Sequence, residues 1–269
     1  MYNSLAISIY MPFLLIASAV SVLELVRYFQ NRRNKHSIMF SFMCLSVTGW
    51  LLFNVLALLI YNQTIGVYIW IALLAFVGLS VPTKFLFVHW FFRPNKRFSV
   101  GVSFLFFIIP LITAVISVLP SLQPFIRSVE IIDIYPSRIY ESSRGSWFWV
   151  HTGYSYLMTV ATSWIIITGH IRKPKFYRLS STLTVVGLAA TMVGNVIVLM
   201  GFVVPNLDPT PMAASITLVF FYLAITNDDY SIFARHARGQ VLNHIEDLVL
   251  IMGKDGDVSD FNTSAKRWF

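Results

Sequence analysis

Polar side chains set into long apolar stretches are the places where this chain can do chemistry. His151, Tyr154, Ser155 and Met158 follow i, i+3, i+4, i+7 spacing and so share one helical face. Asn54, Asn195 and Asp208, with Trp50 and Trp70 nearby, add donors, acceptors and aromatic surface. A polar group at the centre of a bilayer costs a few kcal/mol unless it is paired or wet, so such a set is either a ligand pocket or interhelical glue. The chemistry these residue types support is recognition of a small molecule or a lipid. Glu24 and Lys84 are the carboxylate and the lysine that fall deep within apolar runs. The economical expectation is a buried ion pair between them, either structural or the bistable element of a switch.

The elements that must hold these groups are membrane helices. Hydrophobic residues make up 57% of the 269, charged residues only 12%, and mean hydropathy is +0.70, leaving too little charge to clothe a water-facing globule. Seven runs approach the roughly 20 apolar residues that span a bilayer core: 5–29, 38–60, 67–92, 100–119, 147–168, 183–204 and 210–226. An all-α, seven-helix transmembrane bundle is therefore expected. The first run lacks a basic n-region and is too long for a signal peptide, so it is read as retained.

Orientation follows from the loops. Arg27, Arg32, Arg33 and Lys35 follow the first run, Arg93, Lys96 and Arg97 the third, and Arg172, Lys173, Lys175 and Arg178 the fifth. The opposite side carries Arg127, Arg138 and Arg144 set against Glu130, Asp133, Glu141 and Asp208. The positive-inside rule then puts the N-terminus outside and the C-terminus in the cytoplasm. The formal charge of +8 is accordingly a topology signal beside lipid, and nucleic acid is not expected as a partner.

Segment 120–146 is the one long outer loop, and its alternation around Pro136 and Ser137 predicts a short β-hairpin. It is either a lid across the bundle mouth or a simple covering loop. Residues 227–246 read as a juxtamembrane connector helix whose Phe233, Ala237, Val241 and Ile245 could seam two copies together. Residues 247–269 read as strand, turn, strand and helix start, the incomplete opening of an α/β domain. Gly187, Gly194 and Gly201 give the sixth run a smooth stripe, for packing within the chain or against a second copy. Trp90, Trp147 and Trp149 fit interfacial aromatic belts. Cys44 is the single cysteine, which excludes an internal disulfide or thiolate metal site and reads as a small buried residue.

Three sets of residues carry a family resemblance. Phe76-Val77-Gly78-Leu79-Ser80-Val81-Pro82, then Trp147-Phe148-Trp149-Val150-His151 with Tyr154-Ser155-Tyr156, then Gly194-Asn195 with Leu207-Asp208-Pro209-Thr210-Pro211, resemble the seven-helix N-terminal sensor region of bacterial histidine kinases, which also precedes diguanylate cyclases. Segment 247–268 resembles the start of a PAS domain. The resemblance implies domains at 1–226 (sensor), 227–246 (connector) and 247–269 (PAS-like start). It implies a sensory input module that passes an external or membrane-borne cue to a cytoplasmic PAS and kinase output, or alternatively to a cyclase, with dimerisation through connector and output.

No Walker loop, HExxH, nucleophile elbow, ATP-binding or cyclase motif is present, and neither catalysis nor a cofactor or metal is expected of this chain. His244 reads as a solvated connector residue. A retinal protein is disfavoured because the seventh run lacks lysine. A small transporter, the alternative from another class, is disfavoured because no internal repeat is visible.

Overall fold

The structure, a computed structural model, describes residues 2–30, 35–60, 63–93, 96, 98–134, 137–172, 178–200, 207–244, 247, 249–252, 258–261 and 263–266. In chain order the elements are α1 (Tyr2–Gln30), α2 (Lys35–Leu59), α3 (Gln63–Phe92), α4 (Val100–Leu105), α5 (Ile108–Val118), α6 (Gln123–Ile126), β1 (Arg127–Ile134), β2 (Ser137–Arg144), α7 (Ser146–Arg172), α8 (Arg178–Leu199), α9 (Thr210–His244), β3 (Leu250–Met252), β4 (Val258–Phe261) and α10 (Thr263–Lys266). The described residues are mostly helical.

Among the described residues, five stretches are long and apolar enough to cross a membrane: Ser4–Gln30, Ser37–Leu59, Tyr68–Phe92, Leu179–Val198 and Thr210–Asn227. The other two expected runs behave differently. Run 147–168 lies inside α7, a 27-residue helix in which Trp, His, Tyr, Ser and Thr dilute the apolar content. Run 100–119, expected as one helix, is instead broken into α4 and α5 at Phe106 and Phe107. The cause is Pro110, which has no N–H to give the carbonyl of Phe106 four residues back. The sixth run also shifts toward the N-terminus: its helix begins at Arg178, and residues 201–206 lie outside the described ones.

α1, α2 and α3 pack in succession, and α3 then meets α5 and α7. From α7 the bundle continues through α8 to α9, which returns to α1 and α2 and closes the ring. α3 is the central member, and its residues 82–89 are buried on every side. Phe87 packs on Phe40 of α2 at 5.0 Å and on Phe221 of α9 at 5.3 Å, tying three helices into one apolar core.

α8 packs closely on α9, and two glycines make room for it. A Cβ at Gly187 would press on the Phe220 and Phe221 side chains, and one at Gly194 would stand 2.7 Å from Ala213 Cβ and 3.3 Å from the Pro209 carbonyl. The close contact lets Thr217 Oγ1 lie 2.6 Å from Thr191 Oγ1 and donate to the Gly187 carbonyl at 2.5 Å. These two glycines therefore serve packing within the chain.

β1 and β2 pair antiparallel from Arg127↔Arg144 to Ile134↔Ser137, and Gly145 N–H donates to the Ile126 carbonyl at the base. β3 and β4 also pair antiparallel, with a register irregularity at Ile251/Met252. Residues 253–257 between them, and the expected N-cap Asn262, lie outside the described residues. α9 runs for 35 residues without interruption, so the last apolar run and the expected connector are one helix to His244; residues 245 and 246 lie outside the described ones.

Candidate functional site

The break that Pro110 makes is the starting point of the site. With no partner at residue 110, the Phe106 carbonyl accepts a hydrogen bond at 2.5 Å from the Tyr154 hydroxyl of α7. An exposed carbonyl in lipid would be costly, so the kink and the tyrosine require one another. One turn further along α5, Thr113 Oγ1 donates to the Ile109 carbonyl at 2.8 Å and accepts from Trp147 Nε1 at 2.9 Å. His151 Nδ1 lies 2.9 Å from the same hydroxyl. Because the hydroxyl has one hydrogen, its bond to Ile109 makes His151 the donor through Nδ1 and leaves Nε2 with its lone pair. Ser155, one turn on from His151, closes on the His151 carbonyl at 2.9 Å, while Met158 is buried in the core.

The remaining expected site residues do not join this cluster. Asn195 of α8 accepts a hydrogen bond from the Tyr156 hydroxyl. Asn54 returns its amide to the Trp50 carbonyl on its own helix at 2.9 Å. Asp208 meets α1: its N–H donates to Tyr10 Oη at 2.7 Å, and that hydroxyl donates to the Asp208 carbonyl at 3.1 Å. Its carboxylate also caps α9 by accepting from Thr210 N–H at 2.8 Å. Trp70 is a half-buried residue of α3. The structure thus gathers His151 and Tyr154 around the α5 kink and leaves Asn54, Trp70, Asn195 and Asp208 in separate contacts.

Glu24 is fully buried, and its partner is Arg27 rather than Lys84. Arg27 Nε donates to Oε2 at 2.7 Å and Nη2 donates to Oε1 at 2.8 Å, the fork geometry that suits a carboxylate. Ser37 of α2 donates to Oε1 as well and accepts from Arg27 Nη2 at 2.9 Å. The expected pair fails because Arg27 sits one turn away on the same helix and reaches the carboxylate with no need of α3. Lys84 is buried in α3 and forms no ion pair among the described residues.

Sequence reasoning missed Thr113, Tyr10, Arg27 and Ser37, and it took Trp147 only as a belt residue. A usable signal existed for the first: a proline ten residues into an apolar run announces a freed carbonyl and a nearby donor. Among the described residues no group of three His, Cys, Asp or Glu could hold a metal ion.

No curated protein matches the chain. Residues 13–231 match the family model described as the N-terminal 7TM region of histidine kinase, a match that runs from Phe13 in α1 to Ser231 in α9. A bundle of apolar helices with its polar groups turned inward, matched over that length, makes this chain a member of the family of N-terminal 7TM regions of histidine kinases.

Proposed function

We propose that this chain is the input module of a membrane receptor that carries an external or membrane-borne cue down α9 to a cytoplasmic PAS and kinase output. Membership of the family makes it a multi-pass membrane sensory module; the orientation, the cue and the output are our reading. Seven crossings are supported by the lipid-like exposure of the two helices that composition alone leaves short. α7 turns Leu157, Val160, Trp164, Ile167 and Ile171 outward, and α4 with α5 turns Phe104, Leu105, Leu111, Val115 and Val118 outward. The basic loops support an N-terminus outside and a C-terminus in the cytoplasm.

The cue site is assigned to the α5–α7 face at His151, Tyr154 and Ser155, under a β1–β2 lid, where His151 Nε2 offers an acceptor. Asn195 and Asp208 serve that site indirectly, by tying α7 to α8 and α1 to the start of α9, while Asn54 and Trp70 are kept as candidate ligand contacts. Segment 247–269 is read as the opening of a PAS domain, and dimerisation is assigned to the lower part of α9 together with the output domains.

The observation that carries this reading is α9 itself. Its 35 residues extend about 52 Å at 1.5 Å per residue, well past a core of roughly 30 Å, so it can deliver motion beyond the bilayer. The test joins the full chain to a histidine kinase output and inserts residues after Asn227. One added residue turns the lower helix by about 100° and should switch basal autophosphorylation, whereas seven, close to two whole turns, should restore it. Output indifferent to insertion length would refute transmission through α9.

A further inference from the structure

Tyr154 and Tyr156 of α7 stand two residues apart, so about 200° separates them around the helix and their hydroxyls reach opposite sides. Tyr154 donates to the Phe106 carbonyl at the α5 kink at 2.5 Å, and Tyr156 donates to Asn195 Oδ1 of α8. α7 is thus tied to the kink on one side and to α8 on the other.

Asn195 follows the residue with which α8 grips α9. A Cβ at Gly194 would stand 3.4 Å from Thr210 Cα as well as 2.7 Å from Ala213 Cβ, so α8 meets the first turn of α9 almost backbone to backbone. Two turns further along, Thr217 of α9 bonds both Thr191 and the Gly187 carbonyl, and Gly187 is hemmed in by Phe220 and Phe221. Contacts this close leave no slack for one helix to turn against the other, which makes α8 and α9 one rigid unit.

Among the described residues α7 packs on α3, α5, α6 and α8 and makes no substantial contact with α9. A movement of α7 therefore reaches α9 through α8 or through α3. The α3 route ends on Phe87 against Phe221, two tilted rings 5.3 Å apart. Ring contact lets the partners slide, whereas a hydrogen bond fixes both distance and direction. The α8 route is the one with a defined register from end to end.

We propose that the Tyr156–Asn195 bond is the joint through which the α5–α7 face drives α9. A cue that shifts α7 shifts α8 through this bond, and α8 carries α9 with it. The inference rests on the assignment of the cue to the α5–α7 face. Tyr156 is a positioning residue, acting through α8 and touching no ligand.

The test joins the full chain to a histidine kinase output and measures basal autophosphorylation in the parent, Tyr154→Phe, Tyr156→Phe and the double variant. Tyr154→Phe frees α7 from the kink and should shift the basal level by about fivefold or more, the low end for coupling between sites. With Tyr156→Phe already present, the same substitution should shift it by less than about twofold, the spread expected of uncoupled sites. Asn195→Leu removes the acceptor from the other side and should act as Tyr156→Phe does. Phe87→Leu, which cuts the α3 route, should leave the full shift in place. Should the double variant fail to fold in a detergent melt, His151→Ala replaces Tyr154→Phe in the same cycle. A purely structural role for Tyr156 would lower the melting temperature and leave the shift intact. No shift from Tyr154→Phe, an equal shift with and without the Tyr156 hydroxyl, or a shift lost only in Phe87→Leu would overturn the joint. The insertions after Asn227 test transmission through α9 separately, so the two readings can fail independently.

Discussion

Glu24 shows how a charge survives inside this bundle. Its carboxylate takes two hydrogen bonds from Arg27 and one from Ser37, so every approach to it is through a donor. Removing one partner of such a pair leaves the other charge buried and costs about 3–5 kcal/mol, more than the pair itself contributes. Arg27→Met should therefore lower the melting temperature markedly, and Glu24→Gln added to it should recover most of the loss. Calorimetry or a thermofluor melt in detergent would measure both; an additive double variant would mean that the two side chains do not act as a pair. Thr113 is the counterpart at the other end of the bundle, a single hydroxyl that orders Trp147 and His151. Lys84, expected as the partner of Glu24 because both fall deep within apolar runs, forms no ion pair with it, Arg27 having taken that place.

At the level of elements, two devices shape the bundle. Pro110 breaks one apolar run into α4 and α5 and leaves the freed carbonyl to α7. Gly187 and Gly194 let α8 and α9 approach until threonine hydroxyls bridge them. Filling the second device should be costly: Gly194→Val drives a branched side chain into Ala213 and the Pro209 carbonyl, with a loss of about 1–3 kcal/mol expected for overpacking. Gly101→Ala, where a Cβ would meet nothing within 4 Å, should leave the melt unchanged. Parallel melts of the two variants check this, and equal stability would show that α8 and α9 are not packed as closely as described. α9 is also the helix proposed to carry the signal, so under that proposal a change in its packing on α8 should alter the output.

For the whole molecule, the testable property is which end faces which compartment. In a Cys44→Ala background, Lys96→Cys between α3 and α4 and Ser121→Cys before α6 each place a thiol at an exposed position. The proposed orientation has Ser121→Cys labelled by an impermeant maleimide on intact cells and Lys96→Cys labelled only after lysis. The reverse pattern would invert the receptor and put the lower part of α9 outside. Both positions lie in connections rather than in packed helices, so the substitutions should leave stability within about 0.5 kcal/mol of the parent.

Membrane residence, the helical class and the family were legible in the residues alone, because they depend on composition, run length and local motifs, which act along the chain. The five most apolar spans needed no tertiary information either, since lipid rewards apolar length directly. Partner choice was not legible: Glu24 with Arg27, Tyr154 with Phe106, Tyr10 with Asp208 and Tyr156 with Asn195 are settled by which helices stand side by side. Hydrophobic driving force has no direction, so apolar helices in lipid are sorted by close packing and by the few hydrogen bonds they can make. That sorting placed the expected polar groups in separate contacts between different helices.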